Sequence, residues 1–248
     1  MLKEALSICC RSWRKGSTYF TFILFHVRCA DGLTDGCRVA DVNAMGNKKC
    51  LGAADLVIVI DESGSISKQE WNQFTNFVKH VVGAFPIRQS HTRVGLLKFS
   101  DGVKIAFHLN EHNSSKPVQD AIASLSAGGG GTLIAPALRS AREKMLSASN
   151  GARDGTTPKI LILLTDGEAG DAESELQKEA QLLKADGVKV FTVGVTNQVD
   201  EAQLKKIASL PDNFFYASDF AALNAVMEEK LVDSSCKESN KTDAPIGQ

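Results

Sequence analysis

A chain of 248 residues, 43% of them hydrophobic, can bury one substantial core and leaves too little for two full domains. Its formal net charge is −1, with Lys and Arg dispersed among Asp and Glu, so it lacks the basic stripe that a nucleic-acid partner would require.

In the first segment, Arg11, Arg14 and Lys15 precede the apolar run YFTFILFHV at 19–27 and then RCADG, an order that predicts a secretory signal peptide over residues 1–30. That run falls well short of the roughly 20 residues that span a bilayer, so no transmembrane anchor is expected. Residues 31–52 are polar and aperiodic and read as an N-terminal tail. Cleavage after Ala30 leaves Cys37, Cys50 and Cys236. Cys50 and Cys236 bracket the globular region and are expected to form a disulfide, which would restrict the unfolded chain. Cys37 is then left to pair with another chain, with Cys29 if cleavage falls earlier, or with Cys50 in place of Cys236. The triplets Asn113-Ser114-Ser115 and Asn240-Lys241-Thr242 are N-glycosylation acceptors that agree with secretion.

The body, residues 53–232, alternates short β-rich runs with longer amphipathic stretches. DLVIVI at 55–60 predicts a strand buried on both faces, and the helix from 67 to about 84 places Trp71, Phe74, Phe77, Val78, Val81 and Val82 at helical spacing. RVGLLKF (93–99) and VKIAFHL (103–109) flank Ser100-Asp101-Gly102 and predict an antiparallel hairpin. Helical patterns follow at 115–125 and 133–148, then strand KILILLT (159–165), a helix at 172–185 and strand VKVFTVGV (188–195). A helix at 200–209, a short strand FFYA (214–217) and a last helix at 219–231 precede a polar C-terminal tail at 233–248. This order predicts a doubly wound α/β fold: a mostly parallel six-stranded sheet with one antiparallel edge strand and helices on both faces. Ligands of such sheets bind beyond the carboxyl ends of the central strands, which directs attention to the residues after Ile60 and after Leu164.

Three loops there carry hard-oxygen groups: Asp61-x-Ser63-x-Ser65, the glycine run 128–131 ending in Thr132, and Asp166 in TDG. Ser67-Lys68-Gln69-Glu70 is itself a capping box, which leaves Ser63 and Ser65 without a capping duty. Thr132 alone reads equally well as an N-cap, Asp166-Gly167 alone as a turn, and Asp171 as the N-cap of the helix at 172–185. His108 and His112 read as exposed loop histidines.

DESGS after an apolar strand, a distant Thr after a glycine run and LLTDG after a second apolar strand together resemble the metal-ion-dependent adhesion site of von Willebrand factor type A domains, the integrin inserted-domain fold, over residues 53–232. The resemblance implies that Ser63, Ser65 and Thr132 offer hydroxyl oxygens to Mg²⁺, or to Mn²⁺ or Ca²⁺, while Asp61 and Asp166 bind it directly or through water. It also implies an open position for a Glu or Asp of an extracellular partner such as collagen or another matrix protein, and a last helix that shifts on binding. Hydroxyls suit a Mg²⁺ or Mn²⁺ shell without adding charge, whereas a Ca²⁺ buffer site gathers more carboxylates. No nucleophile elbow, HExxH or phosphate loop is present, so no enzyme is expected. The expected function is a secreted adhesion module. The alternative is a structural matrix or biomineral protein that assembles through its tails and Cys37.

Overall fold

The structure, a computed structural model, describes residues 53–155, 157–195 and 199–216. The expected signal peptide, both tails, Cys37, the Cys50–Cys236 pair, Asn240 and the helix at 219–231 lie outside the described residues.

Six strands form one sheet: β1 Ala54–Asp61, β2 Thr92–Phe99, β3 Val103–Phe107, β4 Lys159–Thr165, β5 Val188–Gly194 and β6 Phe214–Tyr216. Their spatial order is β3-β2-β1-β4-β5-β6. Among the described residues only the β2–β3 pair is antiparallel, and β3 lies at one edge as the sequence predicts. β1 lies between β2 and β4 and is buried along its whole length, so its unbroken apolar run has a partner on each face.

Alternate side chains of the central strands feed two separate cores. On one face Leu56, Ile58, Ile60, Ile160 and Ile162 meet α1 (Lys68–Gly83) and α2 (Ser115–Ala123), which contribute Phe74, Phe77, Val81, Val118 and Ile122. On the other, Val57, Val59, Leu161, Leu163 and Val190 meet α3 (Ile134–Ser140), α4 (Glu173–Ala185) and α5 (Glu201–Ile207) through Leu138, Leu176, Leu183 and Leu204. Fully burying each such side chain contributes roughly 1.5–3 kcal/mol. Ser67 caps α1 and forms both halves of the predicted capping box with Glu70.

Two expectations are corrected. The single helix expected over 133–148 ends at Ser140 and passes into a π turn, Ala141–Met145, closed by the Leu146 N–H on the Ala141 carbonyl at 2.9 Å. The wider turn seats Met145 in the space that Gly95 of β2 leaves open; a Cβ at Gly95 would lie 2.7 Å from Met145 Cε. His108 and His112 are half-buried, not exposed, because the chain after β3 folds back so that His112 meets the Phe107 ring edge-on at 4.9 Å.

The second core also holds a charge. Glu179 of α4, 2% exposed, accepts from Arg139 Nε at 2.8 Å and from Arg142 at 3.1 Å. Burial works to raise its carboxyl, but the two guanidiniums outweigh it and hold Glu179 below the usual range. A carboxyl lowered in the folded state stabilises above its unfolded range, and that contribution disappears as pH falls through the folded value. Glu179→Gln is therefore expected to cost about 1–2 kcal/mol at neutral pH by urea unfolding, with the difference shrinking below about pH 4. Arg139→Ala/Arg142→Ala should cost more, about 3 kcal/mol, because it strands a buried carboxylate.

Candidate metal centre

β1 and β4 are adjacent and parallel, yet the chain leaves β1 for α1 on one face and leaves β4 for α4 on the other. This is the point where the winding reverses and a crevice opens. Asp61, the last residue of β1, is fully buried there, and Asp166, the first after β4, is 2% exposed.

Both oxygens of Asp61 are engaged. The Ser63 N–H donates to Oδ1 at 2.8 Å and the Thr165 hydroxyl donates to Oδ2 at 2.6 Å. Asp166 Oδ1 accepts from Ser65 Oγ at 3.0 Å and from Ser63 Oγ at 3.4 Å, and the two serine oxygens stand 3.0 Å apart. These three oxygens make a nearly equilateral triangle. Adjacent oxygens of an octahedral Mg²⁺ shell, with bonds of 2.0–2.1 Å, are about 3.0 Å apart, so the triangle has the dimensions of one octahedral face. Among the described residues no three His, Cys, Asp or Glu side chains gather as a ligand group; this cluster combines two carboxylates with hydroxyls.

The third loop is tied to the other two. The Gly64 N–H donates to the Gly130 carbonyl at 2.9 Å, and the Gly170 N–H donates to the Thr132 carbonyl at 2.7 Å. A Cβ on Gly167 would stand 3.6 Å from Thr132 Oγ1, which sets that hydroxyl against the turn after Asp166. The structure thus brings Asp61, Ser63, Ser65, Thr132 and Asp166 to one sheet edge. Ser65 is exposed and Thr132 half-buried, while Ser63 is buried with the two carboxylates, so the Ser65 and Thr132 hydroxyls lie on the outer side and charge forms the floor. Gly130 adopts φ 104°, and a Cβ there would run into the Asp101 carboxylate, whose Oδ1 accepts from the Gly131 N–H at 2.8 Å.

Burial pushes Asp61 up to about 6, against the pull of its hydrogen bonds from Thr165 and Ser63 and with help from the charge of Asp166. Asp166 also lies above its ordinary range, through burial first and then through the charge of Glu70. Glu62, next to Asp61 in the chain, behaves oppositely: burial is outweighed by Lys104 and Lys98, and the group is held low. A floor that resists its own negative charge favours cations.

Thr132 is not a helix cap, because α3 starts two residues later and the Ala135 N–H is met by Asp171 Oδ2 at 2.9 Å. Asp171 consequently does not cap α4, where Ala172 holds the N-cap position without a side-chain bond. Its carboxylate instead ties the Thr132 arm to the loop after β4. Glu168 is exposed at the rim. Sequence reasoning missed Thr165, Glu62 and Asp101, although the first two lie inside the quoted LLTDG and DESGS and the third inside the predicted hairpin turn.

The family described as von Willebrand factor type A domain matches residues 55–229. The chain belongs to that family. It is 36% identical over 203 residues to the collagen alpha-4(VI) chain of Mus musculus, covering 78% of this chain and 9% of that one. It is 33% identical over 190 residues to Mus musculus matrilin-2, covering 75% of this chain and 19% of the relative. Among solved structures it resembles proximal thread matrix protein 1 from the mussel byssus with a zinc-occupied MIDAS motif, at 29% identity and TM-score 0.70, covering 76% of this chain and 49% of the other. The chain spans less than half the length of each of these proteins.

A carboxyl raised in the folded state lowers stability as pH climbs from the unfolded value of 3.8 through about 6. In EDTA at about pH 7.5, Asp61→Asn, which keeps the side-chain shape, should therefore melt above the wild type, by up to about 2–3 kcal/mol of stability, with the gap closing near pH 4. Equal melting at both pH values would contradict the assignment.

Proposed function

We propose that this chain is an extracellular, matrix-associated adhesion module that binds its partner through a divalent cation. The observation that carries this reading is the oxygen triangle of Ser63, Ser65 and Asp166 at the switch point, with edges of 3.0, 3.0 and 3.4 Å. Ser63, Ser65 and Thr132 would supply hydroxyl oxygens, with Asp61 and Asp166 acting directly or through water, to Mg²⁺ or to Mn²⁺ or Ca²⁺. When bound, the ion supplies an electrophilic position for an external Glu or Asp carboxylate.

The chain's own groups set that preference. Asp61 and Asp166 bring two negative charges, which about balance a divalent ion, while the hydroxyls bring none. Because Asp61 is already held at both oxygens by Ser63 and Thr165, it remains fixed beneath the site, and it is the exposed hydroxyl side that faces an incoming ligand. The collagen and matrix-protein names of the relatives support collagen or another matrix protein as the partner. A secretory route agrees with the basic and apolar start of the chain and with Asn113, which is exposed ahead of α2 as a glycosylation acceptor would be. Among the described residues no helix is long and apolar enough to cross a membrane.

In a solid-phase assay on collagens and acidic matrix proteins, binding should fall at least about tenfold in EDTA, in Asp61→Ala and in Thr132→Ala, and should persist in Thr132→Ser. Binding that survives all three losses would defeat carboxylate capture by a metal. On non-reducing gels, oligomers that disappear in Cys37→Ser would mark the alternative role in covalent assembly.

A further inference from the structure

We propose that Glu62 is a positioning residue for the metal centre: gripped by Lys98 and Lys104, its carboxylate fixes the glycine-rich loop, and with it Thr132, over the end of β1. Only the last step, from loop to cation, rests on the metal reading above.

The strand pairing creates the need for such a group. Lys98 of β2 and Lys104 of β3 stand directly opposite each other in the antiparallel pair, where like charges destabilise. Glu62 resolves the conflict from the end of the neighbouring β1. Its Oε2 lies 2.6 Å from Lys98 Nζ, its Oε1 lies 2.9 Å from Lys104 Nζ, and its side chain is fully buried. Lys98 is 12% exposed and Lys104 65% exposed, so the carboxylate joins a half-buried cation to a solvated one. A buried ion pair is costly unless its remaining donors are satisfied. Lys98 meets that condition by donating also to the Ser126 carbonyl at 2.7 Å while lying 5.5 Å above the Trp71 ring.

That second bond makes the ion group a clamp on the loop. Ser126 begins the crossing from α2 toward α3, and two residues later Gly128 rests on the clamp itself: a Cβ there would fall 2.6 Å from Glu62 Cδ. The Glu62 N–H meanwhile donates to the Phe99 carbonyl at 2.8 Å, which anchors the carboxylate to β2. The loop can therefore sit no closer than Glu62 allows and is held no farther than Lys98 reaches. With both oxygens turned to ammonium groups, Glu62 is a support and not a ligand.

The test reads amide hydrogen exchange of the full chain in EDTA. Three amides report the loop's seat: Gly64 on the Gly130 carbonyl, Gly131 on Asp101 and Leu133 on the Ser100 carbonyl. In Glu62→Gln and in Lys104→Met these three should exchange about tenfold faster while the amides of β4 and β5 keep wild-type rates, and Lys104→Arg should restore protection. Wild-type rates at all three, or equal acceleration through β4 and β5, would overturn the clamp. Lys104 is largely exposed, so its variants decide the matter if Glu62→Gln does not fold. Titration calorimetry with Mn²⁺ reads the last step separately: the dissociation constant should rise about tenfold in Lys104→Met, as for other groups that orient metal ligands. An unchanged constant would overturn the link to the cation, and a wild type that binds no Mn²⁺ would sink the metal reading while the exchange data still decide the clamp.

Discussion

Asp61 and Asp166 are held side by side at the carboxyl ends of two parallel strands whose central runs, 56–60 and 160–164, are wholly apolar. Such a placement is unfavourable in itself, since burial works against ionisation of both, joined by the charge of Asp166 on Asp61 and that of Glu70 on Asp166. The fold reduces the cost locally: the Ser63 N–H and the Thr165 hydroxyl hold Asp61, and the Ser65 and Ser63 hydroxyls turn to Asp166. What remains is a floor of negative charge under a mouth of neutral hydroxyls, and the groups best suited to complete it are hard cations. The sheet topology is the reason that it exists at all, because only adjacent parallel strands whose connections diverge present two strand ends to one crevice.

Much of this was legible because strand and helix patterns differ in period. DLVIVI and KILILLT carry continuous apolar runs at 56–60 and 160–164 that a parallel sheet buries on both sides, and the Trp71, Phe74, Phe77, Val78 pattern repeats at helical spacing, so a mostly parallel sheet covered on both faces followed. Ser63, Ser65 and Asp166 stood out for a related reason, as polar side chains at the ends of those two runs, whereas Thr132 joined them only through the family resemblance. The parts that escaped depend on long-range geometry. Asp171 looked like a cap for the helix that follows it, and its bond to Ala135 depends on two loops meeting across 36 residues of sequence. The π turn at 141–145 answers to Gly95, a residue on a different strand. Glu62 lay within the quoted motif, but its meaning required knowing that Lys98 and Lys104 face each other across a hairpin.

The two cores and the site divide the work. Apolar burial on both faces fixes the strands, Glu179 with Arg139 and Arg142 locks α3 to α4 on one face, and the Glu62 group ties the loop arm to the strands from the other. Thr132 consequently sits at the junction of elements secured from both sides of the sheet. Under the proposed metal reading, affinity for a cation would be a property of loop placement as well as of ligand identity, which is the general behaviour of metal sites whose supporting groups orient the ligands.

Anomalous diffraction from crystals of the domain grown with Mn²⁺ addresses the central point most directly. A single strong peak within about 2.5 Å of both Ser63 Oγ and Ser65 Oγ, with Thr132 Oγ1 and the two aspartates around it and one position open to solvent, is the expected result. A peak elsewhere on the molecule, or none at saturating Mn²⁺ with the serine and Asp166 oxygens still bonded only to one another, would show that these loops converge for structural reasons and do not hold an ion.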